Sequence, residues 1–220
     1  MPQHAFSQTE IDAVYRAIAE RRDMRHFAKG GIAPEVLTKL LNAAHHAPSV
    51  GLMQPWRFIR ITHDDVRLAI YNLVQQERLN TAQALGEYEN TARMAEFLRL
   101  KVEGILECGE LLVVALCDKR EQYIFGRRTL PEMDLASVAC AIQNMWLAAR
   151  AEGLGMGWVS MFEPTQLAAL LNMPADAKPI AILCLGQVDK FYAQPMLVEE
   201  AWAKEKPLAE MVMENTWQKT

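Results

Sequence analysis

The sequence predicts an α+β fold, with a central mixed sheet flanked by helices. Three observations lead there. Helical periodicity fills most of the 220 residues, and only four short stretches read as strands. Two of these, Leu111–Cys117 and Pro179–Gly186, are apolar almost throughout, as strands buried on both faces are. The strict strand–helix alternation of a doubly wound fold is missing. Length and a hydrophobic content of 51% suit a single domain over residues 1–220 with a sizeable core.

The elements follow in order. Ser7-Gln-Thr-Glu10 reads as a capping box, and Ile11, Val14, Tyr15 and Ile18 then recur at helical spacing to about Arg22. Gly30-Gly31 breaks the chain, and Pro34 suits a first helical position. Val36, Leu37, Leu40, Leu41 and Ala44 give that helix one apolar face. Trp56–Thr62 reads as a strand. Asp64 and Asp65 open a third helix, continued by a more polar stretch over 76–104 with a break expected near Gly86. That stretch is a candidate lid or partner-facing helix. Asp134 is the expected cap of a helix running to about Glu152, apolar nearly all round and so destined for the centre or a subunit interface. Gly155–Phe162 is the next strand, and Pro164 starts a short helix through Leu171. The tail from Asp189 carries Pro195, Trp202, Pro207 and Trp217, and is expected to lie on a second subunit.

Charge and cysteine usage narrow the function. A formal charge of −4 offers no footprint for nucleic acid. No apolar run is long enough to span a bilayer, and the first residues lack a secretory pattern. Cys108, Cys117, Cys140 and Cys184 form no C-x-x-C pair, so a reduced, cytoplasmic protein is expected. His45 and His46 diverge on a helix and cannot share a metal as an i, i+4 pair does, and no metal site is expected.

Three motifs carry chemistry. Arg21-Arg-Asp-Met-Arg25 sets three guanidinium groups at a helix end, where they suit a phosphate. They also suit the helix dipole, and Asp23 is a ready partner within the cluster. The stretch Ala44–Phe58 joins a helix to a strand through Pro48, Ser49, Gly51, Met53, Gln54 and Trp56. Small polar groups beside an apolar wall fit a ring with hydrogen-bonding edges, or else a loop that packs its own Trp. Gly153-Leu-Gly-Met-Gly157 follows a helix and precedes a strand, the reverse of a dinucleotide fingerprint. A helix stop and close backbone approach explain it better, and Ser160 stands at the strand end. Gly126-Arg-Arg128 is a second basic pair, either a surface turn or a further anionic contact.

Taken together, these motifs resemble the FMN-binding nitroreductase superfamily. Arg21-Arg-Asp-Met-Arg25, Ala47-Pro-Ser-Val-Gly-Leu-Met-Gln-Pro-Trp56, Leu147-Ala-Ala-Arg-Ala-Glu-Gly-Leu-Gly-Met-Gly-Trp-Val-Ser160 and Leu183-Cys-Leu-Gly186 resemble one branch of it more closely. That branch consumes reduced FMN (FMNH2) with O2 and releases 5,6-dimethylbenzimidazole, the lower ligand of vitamin B12, and erythrose 4-phosphate. The resemblance implies a flavin-binding set of Arg21, Arg22, Asp23, Met24, Arg25, Ser49, Gly51, Gln54, Leu100, Gly157 and Ser160. Within it, Asp23 and Ser160 are the implied catalytic groups. It further implies a nitroreductase-like homodimer with an extended C-terminal tail, and a separate flavin reductase supplying FMNH2. Ala136 departs from the branch, which has Tyr there. Two alternatives stay open: an NAD(P)H-dependent flavin or nitro-compound reductase, and a flavin-binding protein without chemistry. A carboxylate among arginines, Asp23 is expected to stay ionised.

Overall fold

The computed structural model describes residues 4–217. Four strands form one sheet in the order β1-β2-β4-β3: β1 Trp56–Ile61, β2 Glu110–Leu116, β3 Gly155–Val159 and β4 Lys178–Gly186. All three strand pairs are antiparallel, which corrects the expected mixed sheet. The parallel pairing shown is an isolated bridge between Asp23 and Met156. The apolar runs of β2 and β4 arise because helices cover both faces of the two central strands, a burial that parallel and antiparallel strands can share.

Alternation along those strands feeds two cores. Leu112, Val114, Leu183 and Leu185 face α2 (Pro34–His45) and α5 (Met133–Ala151), where Leu40, Ile142 and Met145 are fully buried. Leu111, Val113, Ile182 and Cys184 face α3 (Asp64–Tyr88) and α6 (Pro164–Leu170), through Ile70, Val74 and Leu167. A smaller cluster of Ala82, Phe97 and Leu100 ties α3 to α4 (Thr91–Arg99).

Several boundaries moved for identifiable reasons. The capping box of α1 (Gln8–Glu20) is formed, with the Ser7 N–H donating to Glu10 at 2.9 Å. Gly86 lies inside α3, and the break falls at Glu89–Asn90, where Asn90 caps α4 by accepting from the Arg93 N–H at 2.9 Å. Asp134 does not cap α5. It is buried in the first turn, accepting from Arg120 Nε at 3.0 Å and Arg127 at 3.1 Å. Val138, Ala141, Ile142, Met145, Trp146 and Ala149 of α5 are buried, while Met133, Ala136, Cys140 and Gln143 form an exposed stripe.

The tail divides in two. Residues 192–203 make contacts with their own chain: the Tyr192 hydroxyl accepts from the Arg25 N–H at 3.2 Å, and a short helix, α7 (Met196–Glu199), follows. Beyond Pro207, Leu208, Met211, Val212 and Trp217 are exposed. No helix among the described residues is long and apolar enough to cross a membrane.

Candidate active site

The site grows from the place where α1 stops. Arg21 turns extended, with φ −59° and ψ 134°, and the following residues run alongside β3. The Met24 N–H donates to Met156 O at 3.0 Å. Gly157 permits this approach: a Cβ there would stand 2.2 Å from Met24 O. Met24 is a buried peg against Gly155 in the core, not a residue lining the cavity. Asp23 and Arg25, its neighbours on extended backbone, line the cavity instead.

The three arginines differ sharply in what they hold. Arg22 donates to the carbonyls of Ala19 and Arg21 at 2.8 Å and of Ala193 at 2.9 Å, so it closes α1 and anchors the tail. Arg25, only 11% exposed, donates to Asp23 Oδ2 at 2.6 Å and to Trp158 O at 2.8 Å. Its Nη1 is buried without a hydrogen-bond partner. Arg21 lies over the Trp146 ring at 4.5 Å and makes no side-chain hydrogen bond among the described residues, which leaves its fork available.

Asp23 is held at both oxygens, since Oδ1 accepts from the Trp158 N–H at 3.0 Å. Its side chain keeps 42% of its surface open, toward the cavity that it lines. Burial is the largest influence on its pKa and raises it, against the opposing pull of Arg25, the Trp158 N–H and Arg21. The expected lowering of its pKa by neighbouring positive charge is therefore corrected, because burial outweighs the arginines.

A cavity of about 560 Å³ opens beside these groups. Arg21, Arg22, Asp23 and Arg25 form one side, and Trp158, Val159, Ser160 and Met161 form the exit of β3. Phe97, Leu100 and Val102 line a second wall, and the tail lines a third through Pro195, Met196, Leu197, Trp202 and Glu205. Ser160 is exposed there and its hydroxyl makes no hydrogen bond among the described residues. One polar, cationic side and two apolar walls suit a flat ring system carrying an anion.

The loop Ser49–Gln54 lies outside this cavity. Ser49 Oγ accepts from the Gln54 N–H at 3.1 Å, and the Val50 N–H donates to Ser137 Oγ at 3.0 Å. Gly51, Leu52 and Gln54 all have positive φ, at 53°, 53° and 47°. Non-glycine residues so placed cost on the order of 1–3 kcal/mol each and persist where the surroundings impose them. Trp56 belongs to the core, with Nε1 donating to His45 Nδ1 at 3.3 Å. Ser49, Gly51 and Gln54 are thus gathered in one loop but not onto the cavity. Arg127 of the second basic pair is buried structure, bound to Asp134 and the Tyr123 carbonyl.

Sequence reasoning missed Trp202 as part of the cavity lining and Tyr192 as a partner of Arg25. The tail aromatic was visible, but no periodicity links it to residues 93 or 25. Among the described residues no three His, Cys, Asp or Glu side chains group as a metal site would require.

Comparison with known proteins places this geometry. The Nitroreductase family profile matches residues 18–187. The 5,6-dimethylbenzimidazole synthase of Rhodospirillum rubrum is 39% identical over 199 residues, covering 90% of each chain. That of Rhodobacter capsulatus is 34% identical over 204 residues, covering 92% of this chain and 96% of the relative. Among solved structures, an oxidized iodotyrosine deiodinase bound to FMN and 3-iodo-L-tyrosine superposes with a TM-score of 0.70 at 21% identity, over 93% of this chain and all of the other. With the family profile covering most of the sequence and two relatives at 39% and 34% identity along nearly its full length, the chain belongs to the nitroreductase family.

Proposed function

We propose that this chain fragments reduced FMN with O2 into 5,6-dimethylbenzimidazole and erythrose 4-phosphate. The observation that carries the reading is Asp23, a carboxylate fixed by the Trp158 N–H and Arg25 at the edge of a mostly apolar cavity. Neither redox cycling nor storage of a flavin needs a base there. The synthases of R. rubrum and R. capsulatus support the same reading.

The residues present fit a flavin. Arg21 offers an uncommitted fork and Arg25 an orphaned Nη1 for a phosphate and its chain, while Phe97, Leu100 and Trp202 offer apolar wall. A cavity of about 560 Å³ is of the size that holds such ligands. Bound reduced FMN supplies the electrons and the carbon framework. The chain's share is to bind, exclude water and move protons. Asp23 accepts a proton from the ribityl chain where it meets the ring, and its raised pKa makes it a better base. Ser160, with a free hydroxyl, hydrogen-bonds the reacting group and relays the proton. The cavity walls keep water from diverting the reaction.

The active form is a homodimer with the flavin between subunits. Arg21–Arg25 of one copy and Ser49, Gly51 and Gln54 of the other complete one site, which accounts for a flavin-binding set split within one chain. The exposed stripe of α5, the exposed Val14, Tyr15 and Ile18 of α1, and the tail beyond Pro207 supply apolar surface for that contact. A separate reductase delivers the reduced flavin, and the free thiols of the four cysteines suit a reducing cytoplasm.

The test mixes the protein with FMN reduced chemically, without NAD(P)H, and admits air. Dimethylbenzimidazole in the products is the expected result. Unchanged FMN alone overturns the reading.

A further inference from the structure

The tail wall of the cavity is fastened at both ends. At one end the Ala193 carbonyl accepts from Arg22, and the Tyr192 hydroxyl bridges the Arg25 N–H and His26 Nδ1 at 3.2 and 2.6 Å. At the other end the Arg93 guanidinium lies 3.2 Å from the centroid of the Trp202 ring, and Arg93 donates to the Trp202 carbonyl at 3.1 Å. Between these fastenings run Pro195, Met196 and Leu197, all lining the cavity. The N–H groups of Trp202 and Ala203 both reach Leu197 O, folding the segment back on itself. Arg93 stands on α4 one turn before Phe97, whose ring centroid is 6.0 Å from that of Trp202. Glu89 and Glu96 flank the guanidinium at 3.4 and 3.1 Å and fix its orientation.

We infer that Trp202 is a positioning residue for the proposed reaction, and that Arg93 holds it so that α4 and the tail cover the flavin as one unit. The inference rests on the flavin reading above. A guanidinium stacked on an indole holds the two walls together without occupying the cavity. With the pair broken, the walls separate, water enters, and electrons from the reduced flavin leave as hydrogen peroxide and oxidised FMN instead of product.

Arg93→Ala and Trp202→Ala are compared with Arg93→Lys and Trp202→Phe. Trypsin cleavage after Lys204, mapped by mass spectrometry, reports whether the tail is held. Flavin fluorescence titration gives the affinity for oxidised FMN, and product analysis gives dimethylbenzimidazole against hydrogen peroxide at saturating reduced FMN. Both Ala variants are expected to cleave faster, to bind oxidised FMN about three- to tenfold more weakly, the loss expected of one partly exposed cation–π contact, and to shift the products toward peroxide. Arg93→Lys keeps the product ratio closer to the parent than Arg93→Ala does, because a cation still meets the Trp202 ring. Parent-like cleavage in both Ala variants, or a product ratio within twofold of the parent, overturns the inference. Arg93→Ala, cut from a partly exposed helix face, stays folded and decides the matter if Trp202→Ala does not. A parent that makes no dimethylbenzimidazole sinks the flavin-fragmentation reading, and the cleavage and affinity arms still judge the latch.

Discussion

The segment Arg21–Arg25 and the loop Ser49–Gln54 are both irregular backbone that the family resemblance assigns to the flavin, and different forces hold them. The first leans on a strand: Met24 pairs with Met156, Gly157 clears the way, and Asp23 and Arg25 lock onto both ends of the Trp158 peptide. The second holds itself, with positive φ at three of its residues and hydrogen bonds to Ser49 and Ser137. One segment encloses a cavity within a single chain. The other presents groups outward, Leu52 being 79% exposed. On the proposed reading, one half of the flavin site is built by pairing against the fold, and the other half is a loop shaped in advance for a second copy of the chain.

The largest expected effect is on chemistry in the first region. Asp23→Asn keeps the shape and an oxygen for the Trp158 N–H while removing the base. Dimethylbenzimidazole formation at saturating reduced FMN should fall about a hundred- to ten-thousand-fold, the usual worth of general-base assistance. Oxidation of FMN by O2 should continue. A drop of only a few-fold would remove Asp23 from the mechanism.

Next come the two glycines, which contrast the regions directly. At Gly157 a methyl group meets the backbone oxygen of Met24, which cannot yield without dismantling the arginine segment. Gly157→Ala should cost about 2–4 kcal/mol in denaturant unfolding, in the range of severe packing or strain defects, and should abolish flavin binding. At Gly51 the methyl meets the Phe125 ring edge at 2.9 Å and a φ of 53°. Gly51→Ala should cost about 1–2 kcal/mol, the size of a left-handed residue's penalty. Equal effects at the two positions would show that the segment does not depend on its approach to β3.

How much of this was legible beforehand follows the same division. The arginine segment, the Gly157 approach and the strand-end Ser160 were readable because local residue types dictate them. So were the helices, whose apolar spacing survives in the two cores. The antiparallel order of the sheet was not, because an apolar run says that both faces are covered and nothing about direction. Nor was the division of labour among the arginines: Arg22 is fixed by Ala193, some 170 residues away, and no local pattern contains that contact. The rise in the Asp23 pKa was missed for a related reason. Its charged neighbours are adjacent in sequence, whereas the burial that outweighs them comes with the folded chain.

That division of labour sharpens the binding test. Arg21→Ala should weaken binding of reduced FMN about tenfold or more, and leave reduced riboflavin nearly unaffected, as losing a charge-assisted phosphate contact predicts. Arg22→Ala should instead lower thermal stability and weaken both ligands alike, since it frees the end of α1 and the tail. Equal discrimination by both variants would mean that the free fork of Arg21 is not the phosphate contact.

The smallest effect concerns pH, and it connects Asp23 to the fold that surrounds it. A carboxyl whose pKa is raised on folding favours the folded state while protonated, and that contribution is lost as pH rises through the folded pKa. At neutral pH the ionised Asp23 is thus a stability cost that Asp23→Asn lacks. The melting temperature of the variant relative to the parent should rise between about pH 4 and neutrality, and be flat below the unfolded aspartate pKa of about 3.9. The difference should be small, because the side chain opens onto the cavity and is partly solvated there. The same group sets the acid limb of dimethylbenzimidazole formation, which should lie above the ordinary aspartate value and vanish in the variant. If the arginines governed the carboxylate instead, the relative stability would change the other way, with the parent gaining on the variant as pH rises. A parent that gains on Asp23→Asn toward neutral pH would show that the ion pair with Arg25 outweighs burial at this site.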